Sequence, residues 1–160
     1  MVVSIRLGVA TDVDAAVSVY ERSSLAYHRG DWPNRANGVA RVLARLHDPA
    51  AWFLVAEEGP ELVGMASAEA LRSDDGAGPG IVGGCFLSYL FVLPERWGEG
   101  VGGALLDHVL REAELRGCRR MHLWTEEDNE RSHRLYRSRG FSKTGQPVPH
   151  DDISEWARRF

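Results

Sequence analysis

The spacing of apolar positions changes several times along the chain and divides it into alternating elements. Ser4 to Val9 alternates and predicts a short strand, after which Thr11, Asp12 and Asp14 make a helix start that feeds the amphipathic stretch from Ala15 to Tyr27. A second helix is predicted from Asn34 to Leu46, leaving His28 to Pro33 as a loop that holds His28, Asp31 and Trp32. Ala51 to Glu57 and Leu62 to Leu71 read as a hairpin around Glu58, Gly59 and Pro60, and the polar, glycine-rich stretch Asp74 to Gly80 as a loop. Gly83 to Val92 is an apolar run fit for a buried strand; it stops at Pro94, and a glycine-dense turn leads into a helix beginning near Ala104 and reaching Arg116. Met121 to Thr125 gives the next strand, Asn129 and Gly140 bracket a helix of about three turns, and further strands follow from Phe141 and near Ile153 to Phe160. Strands and helices alternating through the second half predict an α/β chain, with a mixed sheet and helices on both faces. No repeat, linker or low-complexity segment divides residues 1–160, which are expected to form one domain.

Composition narrows the partners. The 160 residues suffice for a real core, and a net charge of −4 with no long run of lysine or arginine argues against nucleic acid. The amino terminus has Arg6 interrupting a short apolar stretch and no cleavage signature. Nowhere do about 18 apolar residues run together, so neither secretion nor membrane spanning is supported. Cys85 and Cys118 are the only cysteines; no disulfide framework is expected from them, and a reducing cytoplasmic setting is.

The turn Pro-Glu-Arg-Trp-Gly-Glu-Gly-Val-Gly-Gly, residues 94–103, has the chemistry of a diphosphate cradle. Glycines let the backbone approach a ligand, and the unpaired amides and positive dipole end of the following helix favour an anion. No Gly-Lys-Ser/Thr follows, so an ATP-type loop is excluded. Gly98, Gly100 and Gly103 also satisfy Gly-x-Gly-x-x-Gly, which keeps a nucleotide-dependent oxidoreductase in view, with Glu126 slightly beyond the acidic position that such a site needs. That fingerprint opens its domain after a first strand, whereas this loop lies past the middle of the chain.

Two ordered motifs together resemble the GNAT superfamily of N-acetyltransferases. Val92 and Pro94 stand at the strand exit, and Trp97, Gly100 and Gly102 occupy the positions of the family's Gln/Arg-x-x-Gly-x-Gly/Ala pyrophosphate loop; Trp97 departs from the usual Gln or Arg, and Arg96 is the neighbour that could substitute. About 30 residues on, Asn129 to Phe141 resembles the second signature, Asn-x-x-Ala-x-x-Leu-Tyr-x-x-x-Gly-Phe, with Ser132 for the small Ala. Asn129, Ser132 and Tyr136 fall on one helix face by their spacings of three and four. The resemblance implies a GNAT fold, a mostly antiparallel twisted sheet of six to seven strands flanked by about four helices. It also implies an acetyl-CoA-dependent acyltransferase that moves an acetyl group to a primary amine, without a metal.

In that fold acetyl-CoA would pair its pantetheine arm with Leu90, Phe91 and Val92, rest its diphosphate on Trp97, Gly98, Glu99, Gly100, Val101, Gly102 and Gly103, and meet Asn129, Ser132 and Tyr136 beyond. Glu99 repels the ligand unless it turns to solvent. Tyr136 matches the family's general acid; a phenol of pKa near 10 stays protonated and able to donate at neutral pH. The glutamate that many family members place early in the central strand is missing, since Cys85, Phe86, Leu87 and Ser88 stand there. Glu69, Glu126, Glu127, His28 and His150 are the remaining candidates for the base. Trp32 and Trp124 are candidate walls of an acceptor pocket, and Asp151 and Asp152 an acidic pair beside it. The acceptor, a small-molecule amine or a peptide or protein amine, is left open, as is the oligomeric state, dimers being common in the family. The alternative is a GNAT-fold acyl-CoA binding or sensing module without catalysis.

Overall fold

In a computed structural model the chain forms a seven-stranded open sheet and four helices; the structure describes residues 2–160, residue 75 by its backbone alone. The elements are β1 (Ser4–Leu7), α1 (Val13–Tyr27), α2 (Arg35–His47), β2 (Trp52–Glu58), β3 (Glu61–Arg72), β4 (Gly80–Val92), α3 (Val101–Leu115), β5 (Arg120–Glu126), α4 (Glu130–Ser138), β6 (Ser142–Lys143) and β7 (Ile153–Arg159). Strand order in the sheet is β1-β2-β3-β4-β5-β7-β6. The chain packs as two compact units, one holding the chain up to Ser67 with Tyr89–Val109, the other Ala68–Ser88 with Leu110–Phe160. Among the described residues no helix is long and apolar enough to cross a membrane.

In the first unit β1 pairs antiparallel with β2, from Ser4 opposite Glu57 to Leu7 opposite Leu54. Arg6 projects from β1 onto two carboxylates, Asp12 at 2.8 Å and Glu57 at 3.1 Å. Asp12 also accepts the Val9 amide at 2.8 Å, so this side chain ties the start of α1 to the strand before it. Gly64 of β3 is needed for close approach: a Cβ there would lie 2.8 Å from Leu105 and 3.3 Å from Val101, the residues by which α3 sits on the sheet. The start of α3 is thereby held by burial of Val101, Leu105 and Leu106.

In the second unit β5 pairs parallel with β4, Gly84–Leu87 against Arg120–Leu123, and antiparallel with β7 along its whole length. Met121, Leu123 and Trp156, each at most 1 % exposed, form the centre of its core. Two boundaries differ from the sequence reading by three residues. β4 begins at Gly80 rather than Gly83, because Gly83 absorbs a kink at φ 75° and lets the strand continue while its carbonyl accepts the Arg119 amide at 2.8 Å. α3 begins at Val101 rather than Ala104, since Ala104 N already donates to Gly100 O at 3.0 Å and so makes Gly102 and Gly103 helical.

The expectation of no disulfide is also corrected: Cys85 and Cys118 are bonded, with Cα atoms 6.0 Å apart. Thirty-three residues separate them in sequence. The parallel pairing that sets Gly84 opposite Arg120 brings Cys85 of β4 beside the residue two positions before that partner.

Candidate active site

The polar side chains of the glycine turn are committed to holding its shape. Trp97 Nε1 donates to the Val92 carbonyl at 2.8 Å, so the residue at the family's Gln/Arg position ties the turn back to the end of β4. Arg96 is ion-paired with Glu58 of β2 and lies 3.4 Å from Glu99. Two carboxylates thus share this guanidinium, and the pairs fasten the loop. The same contact removes the concern over Glu99, whose half-exposed carboxylate is neutralised within the turn. The Glu99 amide is spent on Arg96 O at 3.3 Å and drops out of the set of cradle donors.

The remaining backbone has the form that an anion site requires. Gly98 and Gly100 take φ of 82° and 86°, left-handed values that L side chains rarely adopt, and a Cβ at either would meet nothing within 4 Å. Both face open space. The first α-helical bond of α3 runs from Ala104 to Gly100, so the amides of Val101, Gly102 and Gly103 have no partner within the helix. Gly100, at the N-cap, has no side chain with which to satisfy them. Upstream, the Leu93 amide is paired with Val63 O at 2.9 Å, which fixes where β4 ends.

The second motif lies in the other unit. Asn129 caps α4, its Oδ1 accepting the Ser132 amide at 3.2 Å, and its carbonyl accepts the His133 amide at 3.0 Å. His133, missed in the sequence reading, is 1 % exposed; its Nε2 bonds the Glu126 carbonyl at 2.9 Å and its ring lies 4.9 Å from Trp156. This histidine pins α4 to β5 and β7. Its signal was its place three residues before Tyr136, on the inward face of the helix. Tyr136 is 7 % exposed and packs edge-on to Phe141 at 5.7 Å. Burial alone drives its phenol far above the ordinary tyrosine range, so it is a neutral O–H donor at any physiological pH.

The five candidates for the base stand in different surroundings. Glu127 is held by Lys143, which pulls its carboxyl below the usual range. His150 is exposed, as are Asp151 and Asp152, in the stretch before β7. His28 stacks on Trp32 at 5.7 Å and meets Tyr27 edge-on. The Glu126 carbonyl serves His133. Glu69 on β3 accepts the hydroxyl of Ser88 on β4 at 3.1 Å, which couples a carboxylate to the central strand whose own sequence lacks one.

Of the two tryptophans, Trp124 lies against Phe86 at 5.5 Å within the second unit. Trp32 belongs to an aromatic cluster of the first unit with Tyr20, Tyr89 and Phe91; the Phe91 ring lies 4.9 Å from Tyr20. Among the described residues no group of three or more His, Cys, Asp or Glu side chains is arranged to hold a metal ion.

Comparison with known proteins agrees with this arrangement. Residues 17–141 match the model of the acetyltransferase (GNAT) family. An acetyltransferase of Pectobacterium atrosepticum is 32% identical over 126 residues, covering 79% of this chain and 78% of its own. An aminoglycoside N(6')-acetyltransferase type 1 of Stenotrophomonas maltophilia is 32% identical over 142 residues, with 87% of each chain covered. Among solved structures, YncA of Salmonella typhimurium with its cofactor acetyl-CoA superposes with a TM-score of 0.73 at 26% identity, over 99% of this chain and 94% of that one. A fold of seven strands and four helices, a glycine turn opening onto an uncapped helix, and a family match across most of the chain agree: this protein belongs to the GNAT acetyltransferase family and is an acetyl-CoA-dependent acyltransferase.

Proposed function

We propose that the chain transfers the acetyl group of acetyl-CoA to a primary amine by direct attack, with Tyr136 as the acid that protonates the departing thiolate. The observation that carries this reading is the pair of left-handed glycines, Gly98 and Gly100, opening onto the unpaired amides of α3. Such amides, at the positive end of a helix dipole, suit the diphosphate of coenzyme A. We assign that role to Gly98, Gly100, Val101, Gly102 and Gly103, and the pantetheine amides to backbone groups of Leu90 and Val92.

The chemistry then needs two proton movements. An alkylamine of pKa near 10.4 is neutral in only about one molecule in 2,500 at pH 7, so the nucleophile must lose a proton. We assign Glu69 to that task, acting through the Ser88 hydroxyl that it already holds. The leaving thiolate, whose thiol has a pKa of about 8.5, is a weaker base than a phenolate and gains most from a donor placed in a dry site. Tyr136 is such a donor because desolvation keeps its proton in place. Asn129 and Ser132 act with it: the Asn129 cap fixes the turn of α4 from which Ser132 and Tyr136 project. No covalent acyl-enzyme is needed, and the disulfide removes both thiols from nucleophilic duty.

The test follows free thiol while the protein is incubated with acetyl-CoA and a panel of amines. Acceptor-dependent thiol release is expected, with kcat falling by about 10²-fold in Tyr136→Phe, a change that keeps the ring packed on Phe141. In Glu69→Gln kcat should fall while acetyl-CoA affinity is kept. Saturable acetyl-CoA binding without turnover of any amine would instead favour a sensing module.

A further inference from the structure

The first unit carries a cluster that the acetyl-CoA assignment does not use. Tyr20 of α1 meets three rings edge-on: Trp32 at 5.6 Å, Tyr89 at 5.8 Å and Phe91 at 4.9 Å. Tyr89 and Phe91 flank Leu90 on β4, so by strand alternation they share one face of the strand to which the acyl arm is assigned. The fit is close on the helical side as well: a Cβ on Gly38 of α2 would lie 2.6 Å from the Tyr20 hydroxyl and 3.0 Å from Trp32.

From that glycine a stripe with spacings of three and four runs along α2 through Arg41 and Arg45. Helix α2 has no acidic residue in its 13 positions. Its Arg35 is taken by Glu21 at 2.9 Å. Arg41 is exposed, and among the described residues it makes no hydrogen bond or ion pair. The positive charge of Arg41 bears on both the Tyr20 and Tyr89 phenols, and that of Arg45 on Tyr89. The carboxylates of the neighbouring helix and loop, Asp14 and Asp31, are exposed, and Glu21 is paired.

We propose, building on the acetyltransferase reading above, that this cluster is the acceptor site and that it takes a small amphoteric amine, an α-amino acid or near relative with amino group and carboxylate on an apolar frame. The rings supply flat apolar surface for the frame, and a guanidinium fork matches a carboxylate in shape and charge. A polycationic acceptor would instead need carboxylates where this site has arginines. In the reaction the ammonium form gives up one proton, the amine nitrogen bonds the acetyl carbon and the carbon–sulfur bond breaks. A second proton leaves the nitrogen as the thiolate gains one, so that the products are the N-acetyl amino acid, coenzyme A with a free thiol, and one net proton.

The test measures kcat/KM at fixed acetyl-CoA for phenylalanine and leucine against phenethylamine and isopentylamine, which lack only the carboxylate, and against kanamycin and spermidine. The carboxylate-bearing acceptors are expected to exceed their decarboxylated partners by at least tenfold. Arg41→Gln and the double variant Arg41→Gln, Arg45→Gln should raise KM for phenylalanine tenfold or more. Neither should alter KM for phenethylamine or affinity for acetyl-CoA, which also confirms folding. Preference for kanamycin or spermidine, or a KM for phenylalanine indifferent to both arginines, overturns the proposal. Acetyl-CoA binding with turnover of other amines but no amino acid overturns the acceptor assignment alone. No acetyl-CoA binding overturns the reading beneath it and this proposal together.

Discussion

The two ends of α3 are built in opposite ways. At its C-terminal end the helix is closed: Gly117 turns left-handed at φ 87°, its amide bonds Glu114 O at 3.0 Å, the Cys118 amide bonds Ala113 O at 2.9 Å, and the Cys118 sulfur is bonded to Cys85. At its N-terminal end the N-cap is Gly100, which has no side chain to offer, and two left-handed glycines face open space. Of the other helix starts, two are tied by a side chain, while Asn34 makes no side-chain cap at α2. Asp12 ties down the beginning of α1, and Asn129 caps α4. The unpaired donors of α3 thus lie behind an exposed turn that is held in place by Trp97, Arg96 and Glu58. The difference separates donors that the fold leaves unspent from donors that it uses.

The largest expected effect comes from opening the closed end. A bridge across 33 residues constrains the unfolded chain by about 3–4 kcal/mol in the loop-entropy account. Urea unfolding of the Cys85→Ser, Cys118→Ser variant, or of the wild type with reductant, should show a loss of that order, while acetyl-CoA affinity changes little. Identical midpoints with and without reductant would show that the closed end owes nothing to the bond.

Filling the open end comes next. Gly100→Asp places a negative charge where the diphosphate is assigned and should weaken acetyl-CoA binding by about 100-fold, roughly 2.7 kcal/mol. Gly100→Asn has nearly the same shape and tolerates a left-handed backbone comparably, so it separates charge from strain and should cost far less. Calorimetric titration of both variants decides the matter: equal losses would mean that backbone conformation, not charge, governs the site.

Why one end was legible from sequence and the other was not is a matter of range. The glycine turn and the Asn129 cap are local: Gly98 and Gly100 announce left-handed backbone, and Asn129 finds its partner three residues away. So were most strands and helices, each read from its own period. What escaped depends on pairs distant in sequence. Arg96 meets Glu58 across 38 residues, and Cys85 meets Cys118 only because β5 pairs with β4. The coupling of Glu69 to Ser88 likewise needs β3 and β4, 19 residues apart, to lie side by side. Trp97 is the instructive case: as a letter it departs from the family pattern, and only its bond to Val92 O gives it a purpose.

Removing a closed start should cost less than filling the open one and should act on a different observable. Asn129→Ala deletes the acceptor of the Ser132 amide and should lower stability by about 1 kcal/mol, with Asn129→Ser or Asn129→Asp restoring most of it. Because Tyr136 lies on the capped helix, kcat should fall more than acetyl-CoA affinity does. The reverse ranking would make Asn129 a ligand contact first and a cap second.

The smallest effect distinguishes a charged closure from a neutral one. Arg6 holds the Asp12 carboxyl below its ordinary range, assisted by the Val9 amide, whereas the Asn129 cap does not titrate. A carboxylate with a depressed folded pKa contributes stability that is fully present above its unfolded value of about 3.9 and is lost as pH falls toward the folded value, since the unfolded chain binds the proton first. Arg6 is well exposed and screened by solvent, so the contribution should be small. Asp12→Asn should therefore unfold slightly more easily at pH 7 and show a shallower decline in stability as pH falls below about 4, with Asn129→Ala keeping the wild-type slope there. Parallel acid limbs in wild type and Asp12→Asn would mean that neither Arg6 nor the Val9 amide favours the charged form of this carboxyl.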